Sequence, residues 1–340
     1  MEKSKYNKMA AEGSQDSSHL TSKGNRYSYT YDPSTSVSPT LIFLHGFPSQ
    51  KHDWDGQRKY FTKLGYGVLL IDLLGFGRSD SPDNQDCYRL KPMSDEIVDL
   101  LDHIQIKGPV IGIAHDLGVM LLSRLAIYHP SRIQAMIYLA VGPHQLGQRF
   151  DMDAINHFTK QMLGHEYLGY MSWMVGDPTA GEELEKHAES AMKLMFCADH
   201  ALWDSSFRPL GAMRTVVTED RDAEVGSWFT PEMQQQHLGC YQRPGGYKGA
   251  IRWYKNMANN ASTSDEETAS GQKQDKPALL IAPEHEASQQ KDQAASWHTR
   301  LESHALPCGH WVHLEKAAET NKLIEAFVSS LGADLEETVL

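Results

Sequence analysis

The stretch Val110-Ile111-Gly112-Ile113-Ala114-His115-Asp116-Leu117-Gly118-Val119-Met120 constrains the fold more than any other. A short apolar run ends in a tight turn, and an apolar-periodic segment of helical length follows it. Ala114 and Gly118 stand two residues before and after Asp116, giving small-x-Asp-x-small. That is the spacing of a nucleophile elbow, where flanking side chains must be small so the central one is lifted clear of a sheet. The lifted side chain here is a carboxylate. It is ionised at neutral pH and attacks carbon without a base, leaving an ester. A helix N-cap is the competing role for Asp116, because Asp is a preferred cap. His115 reads as a structural residue packed beside the turn.

Other apolar runs place this elbow in a sheet. Residues 26–31 alternate at period two, the pattern of a half-buried strand. Residues 40–44, 66–72, 135–140 and 277–282 are near-continuously apolar, as strands covered on both faces of a parallel sheet must be. Residues 94–106 read as an amphipathic helix, 301–306 as a last strand and 320–331 as a closing helix. Strands alternating with helices imply parallel βαβ units, and hence an α/β fold with helices on both faces of a mostly parallel sheet. Between 145 and 257 the buried-strand runs vanish, Met and aromatic residues become dense, and apolar spacing turns helical, predicting an inserted helical lid. The expected organisation is a disordered segment over 1–20, a core of 21–144 and 277–340, the lid of 145–257, and a flexible polar loop over 258–276. At 340 residues and 40% apolar content, the chain can bury a core of that size.

A net charge of -12 excludes nucleic acid and anionic membrane surfaces as partners, since phosphate binding needs clustered Lys and Arg. No run reaches the roughly 18 apolar residues of a membrane span. The N-terminus, Met1-Glu2-Lys3-Ser4-Lys5, lacks an apolar signal segment. Four cysteines without a C-x-x-C pair predict reduced thiols and a cytoplasmic location. The assembly state is left open, a homodimer included.

An ester on Asp116 needs water to hydrolyse it, and neutral imidazole is the usual base near pH 7. Among the 17 histidines, His310 stands out in Cys308-Gly309-His310-Trp311 because it follows the last predicted strand. Active sites of open α/β sheets lie at strand C-terminal ends. An acid to orient it is expected after the 277–282 strand, where Glu286 is preferred and Glu284 is the competitor. No acid follows the 135–140 strand, whose continuation is Val141-Gly142-Pro143-His144. Oxyanion donors are expected from the backbone N–H of Leu117, and of Phe47 in the turn His45-Gly46-Phe47-Pro48.

Taken in order, His45-Gly46-Phe47-Pro48, Gly75-Phe76-Gly77-Arg78-Ser79, His115-Asp116-Leu117-Gly118 and Cys308-Gly309-His310-Trp311 resemble the soluble epoxide hydrolases of the α/β-hydrolase fold over about residues 25–340. The resemblance implies an enzyme without cofactor or metal that takes a small, apolar epoxide and water to a vicinal diol. It also implies two lid tyrosines that hold the epoxide oxygen. Arg252-Trp253-Tyr254-Lys255-Asn256-Met257 resembles the segment carrying one and points to Tyr254. Gly169-Tyr170-Met171-Ser172-Trp173 resembles the other and points to Tyr170, with Tyr167 three residues away as the alternative. A phenol with pKa near ~10 stays protonated and donates to a developing alkoxide. Leu117 stands where that family often has an aromatic, and Glu286 where Asp is more usual. A haloalkane or haloacid dehalogenase uses the same Asp ester, but Phe47 and Leu117 are not its usual halide ligands. A serine esterase is disfavoured by Asp116 itself. An idle ligand-binding member of the fold is the remaining alternative.

Overall fold

Each near-continuous apolar run becomes a strand whose alternate residues serve two different cores. The structure is a computed structural model and describes residues 16–337. The strands are β1 Ser17–Leu20, β2 Arg26–Asp32, β3 Thr40–Leu44, β4 Gly67–Ile71, β5 Val110–His115, β6 Ile133–Leu139, β7 Ala278–Pro283 and β8 Leu301–Leu306. They form one sheet in the order β1-β2-β4-β3-β5-β6-β7-β8. β2 runs antiparallel to both neighbours, and every pairing from β4 onward to β8 is parallel.

On one face Leu41, Phe43, Ile111, Ile113 and Ile137 pack on α1 (Asp55–Lys63) and on the last helix, Ala317–Glu337. On the other, Ile42, Leu44, Ala114 and Met136 pack on α2 (Leu90–His103) and α3 (Leu117–Tyr128). α2 starts four residues before the predicted position 94, with Pro92 in its first turn, where no intrahelical N–H is required. Both faces are covered, which is why these strands carry no polar alternation.

After β6 the chain leaves the sheet for an insert of helices, α4 Met152–Leu163, α5 Gly169–Gly176, α6 Ala180–Lys186, α7 Ala188–Met195, α8 Leu202–Ser206, α9 Ala212–Thr218, α10 Pro231–Tyr241 and α11 Gly246–Ala258. This insert sits over the loops that follow the strands. Tyr241 Oη donates to Ser49 O after β3, Trp253 Nε1 to Leu74 O after β4, and Trp311 Nε1 after β8 to Met195 O.

Two expectations need correction. The segment 1–20 is not disordered throughout, because residues 17–20 form β1, paired with β2 from Ser17↔Tyr29 to Leu20↔Arg26. Residues 1–15 lie outside the described residues. The polar stretch 258–276 is not simply an exposed loop either. It contains α12 (Thr263–Glu266), and Glu266 is buried against Arg124 of α3 through Nε–Oε1 at 2.8 Å and Nη2–Oε2 at 3.0 Å. Glu266 Oε2 also accepts the Gly147 N–H at 2.8 Å. Two buried charges are tolerable only as a well hydrogen-bonded pair. Glu266→Ala strands the guanidinium and is expected to cost about 3–5 kcal/mol. Urea unfolding checks this, and a loss below 1 kcal/mol would mean Arg124 finds water instead.

Candidate active site

Asp116 ends β5 and begins α3 at φ +51° and ψ -126°, a region a non-glycine residue occupies only when its surroundings enforce it. Two glycines let that happen. A Cβ on Gly118 would press into the Leu44 and His45 carbonyls, so only glycine lets the start of α3 lie this close to β3. A Cβ on Gly46 would overlap Asp116 Oδ1 and stand 2.7 Å from Leu117 N. Ala114 is fully buried. Asp116 does not cap α3 with its side chain; its Oδ1 instead accepts the Phe47 N–H at 2.8 Å. Gly46 thus sits against both the carboxylate and the Leu117 amide.

His45 shapes the turn that carries Phe47. It is fully buried, its Nε2 accepts the Leu73 N–H at 3.1 Å and its Nδ1 bonds Gly46 O at 3.0 Å. That pattern requires a neutral ring, and burial lowers its pKa accordingly. Pro48 follows through a cis peptide bond.

His310 lies on the loop after β8, as the sequence predicts, with Nε2 3.7 Å from Asp116 Oδ2. Burial pushes its pKa down to about 3, opposed chiefly by the negative charge of Glu315. The imidazole is therefore neutral at pH 7 and able to accept a proton. His115 Nε2 donates to the His310 carbonyl at 2.9 Å, which is the packing role expected of it.

Tyr170 of α5 and Tyr254 of α11 meet edge to face with ring centroids 6.1 Å apart. Burial raises both phenol pKa values, and the Asp116 charge adds to the rise in each. Both hydroxyls thus stay protonated within the field of the carboxylate. Tyr254 packs edge-on against Phe47 at 5.2 Å, and Tyr170 stacks on Phe207 at 4.3 Å. Tyr167 faces elsewhere: its hydroxyl donates to Glu286 Oε1 at 2.6 Å and its ring lies under Arg208 at 4.3 Å.

Glu286 is the expectation that the structure does not bring together with the rest. Its carboxylate binds Arg208 Nη2 at 2.9 Å as well as Tyr167, and no hydrogen bond joins it to His310 among the described residues. Its two hydrogen-bond partners belong to the insert, and the neighbouring His285 lies 3.7 Å away, so the charge ties the insert to the sheet. Glu284 is exposed and meets Leu306 through its backbone N–H. Sequence reasoning missed Arg208, His200 and Glu315. Each is one polar residue among many, with no local pattern to mark it.

Beside Leu117 opens a cavity of about 510 Å³, walled by Leu117, Met120, Phe150, Ile155, Trp253 and Met257, with the Arg124–Glu266 pair on its polar side.

Residues 39–170 match the family model described as alpha/beta hydrolase fold. The chain is 26% identical over 294 residues to bifunctional epoxide hydrolase 2 of Rattus norvegicus, covering 84% of this chain and 51% of that one. It is 24% identical to epoxide hydrolase A of Mycobacterium tuberculosis, covering 86% of this chain and 91% of that one. This chain spans about half the length of the mammalian bifunctional relatives it matches. Among solved structures, an epoxide hydrolase from an endophytic Streptomyces superposes with a TM-score of 0.82 at 21% identity, covering 95% of this chain and 97% of the other. Sheet order, elbow and matching family model together identify the chain as a member of the α/β-hydrolase fold, and the relatives it resembles are epoxide hydrolases.

Proposed function

We propose that the chain is a cofactor-independent epoxide hydrolase that converts an apolar epoxide and water to a vicinal diol. The observation that supports this reading is the Asp116 carboxylate at a strained elbow, with His310 Nε2 3.7 Å from its Oδ2 and two lid phenols packed on each other whose protons its charge helps to hold. A halide leaves without a proton, so dehalogenation needs no acid, whereas an epoxide oxygen becomes an alkoxide that needs one.

In the first half-reaction a carboxylate oxygen of Asp116 bonds to an epoxide carbon as the C–O bond breaks. Tyr254 and Tyr170 donate hydrogen bonds to the departing oxygen, and one of them delivers its proton. In the second, His310 takes a proton from water, whose oxygen attacks the ester carbonyl. The Phe47 and Leu117 N–H groups hold the resulting oxyanion. Collapse expels the diol oxygen, which recovers the proton from His310, and the acid proton left on Asp116 returns to the tyrosinate. The insert acts as a lid over a core of residues 21–144 and 277–340, supplying both phenols. The four cysteines, all free thiols, support a reducing, cytoplasmic setting.

A single turnover in oxygen-18 water tests the ester. Heavy oxygen is expected in Asp116 and not in the first diol released; its appearance in that diol would rule the ester out. Tyr254→Phe removes one of two proton donors and is expected to slow ester formation by about 10²-fold. Stopped-flow measurement of that step checks it, and an unchanged rate would leave Tyr170 as sole donor.

A further inference from the structure

The base of the second half-reaction becomes an imidazolium in a buried site, and an unpaired buried charge is costly. Glu286 does not meet it, since Arg208 and Tyr167 hold that carboxylate. Another carboxylate is built around the histidine. Glu315 closes the four-residue α14 (Val312–Glu315) directly after the loop. Its Oε2 accepts the Gly309 N–H at 2.8 Å and its Oε1 accepts the Trp311 N–H at 3.0 Å. One side chain thus clasps the peptide N–H on each side of His310. Its side chain is 9% exposed, and His200 Nε2 contacts Oε2 at 3.0 Å.

The packing is specific to this arrangement. A Cβ on Gly309 would drive into the His200 ring, so glycine before His310 is what admits the His200–Glu315 contact. From the opposite side His115 holds the His310 carbonyl. The backbone of His310 is therefore gripped at three points, two of them on a single anion. Direct hydrogen bonding to the ring is not needed for that anion to act, because a charge in a dry site is felt over several ångströms.

We propose that Glu315, and not Glu286, is the positioning carboxylate of ester hydrolysis: it fixes the peptides flanking His310 and supplies the negative charge against which the imidazolium forms. This rests on the epoxide-hydrolase reading. Glu315 touches no reacting atom, so it acts through His310 alone and ester formation proceeds without it.

Rapid-quench mass spectrometry of the intact protein with styrene oxide separates the two steps. Glu315→Gln is expected to form the ester at the natural rate and to hydrolyse it at least about tenfold more slowly, so that ester accumulates. Glu315→Asp keeps the charge and is expected to recover most of the hydrolysis rate. Glu286→Gln is expected to slow hydrolysis less than Glu315→Gln does. Ester that decays at the natural rate in Glu315→Gln overturns the proposal, as does accumulation in Glu286→Gln alone. Equal slowing of both steps in Glu315→Gln, together with a lower Tm and no recovery in Glu315→Asp, assigns Glu315 a merely structural role and also overturns it. Should Glu315→Gln fail to fold, the split between the two steps in Glu315→Asp and Glu286→Gln still decides between the carboxylates. No ester in the natural protein would overturn the epoxide-hydrolase reading itself. Ester with unaltered decay in Glu315→Gln would overturn only this inference.

Discussion

Asp116→Ala is expected to lower kcat for diol formation by about 10⁵-fold or more, the scale of losing a covalent nucleophile. No neighbour can take its place. The imidazole of His310 is 3.7 Å away and aimed at the same point, and the phenols are held protonated by burial. Asp116→Gly provides the companion measurement. It also removes the carboxylate, but glycine accepts φ +51° without strain. That variant should therefore be inactive yet no less stable than the natural protein. Residual turnover within a hundredfold of the original in either variant would mean that the reaction bypasses the ester.

The second large effect is on stability in acid. Burial lowers the pKa of His115 and His237 to about 3, of His298 to about 4, and of His313 well below its ordinary value. Both ring nitrogens of His313 lack a hydrogen-bond partner among the described residues. The folded state therefore keeps these rings neutral while the unfolded chain protonates them below about pH 6.5. Stability must then fall as pH drops from about 6.5 toward the folded values. Asp53 opposes this: burial raises its carboxyl to about 7, so the folded state holds a proton there that the unfolded chain releases, and acid favours folding through this group. His45, His144 and His310 shift the same way as the other histidines, and burial also raises Glu96; the histidines outnumber the two carboxyls, so the net effect of acid is destabilising. Against a typical stability of about 5–15 kcal/mol, the uptake of several protons on unfolding is expected to open the chain in mild acid. Urea midpoints at pH 7, 6 and 5 measure the slope, and a flat profile would mean that water reaches these rings.

What was legible in the residues follows a simple division. The sheet could be read because a strand covered on both faces leaves no place for polar side chains, as 40–44 and 110–115 show. The elbow could be read because its constraint is local steric crowding, carried by Ala114, Gly118 and the turn around Gly46. Glu266 could not. Its polar neighbours indicate solvent, and the arginine that buries it lies 142 residues away on another element. Glu286 stands after β7, where the sequence puts it, but the direction of its side chain is decided by Arg208 from the insert. Position along a strand is a property of nearby sequence; the direction a long acidic side chain takes is a property of the cations folded around it. Tyr170 stands in the first turn of α5 and Tyr167 in the bend just before it, and only the packing of the insert separates the phenol that meets Tyr254 from the one that meets Glu286.

The polar composition that hid β1 as a strand also makes it a suitable border for the sheet. Ser17, Ser18 and His19 offer little for a foreign β-segment to bury, and the strand is only four residues long; short polar borders of this kind discourage end-on addition of further copies. His19 anchors it to α2 through Asp99 at 2.8 Å. A chain trimmed to begin at residue 21 would bare the outer rim of β2, where Tyr27 and Tyr29 alternate with hydroxyl residues. β1 thus acts as a selvedge, guarding the border of the sheet against the addition of a further strand.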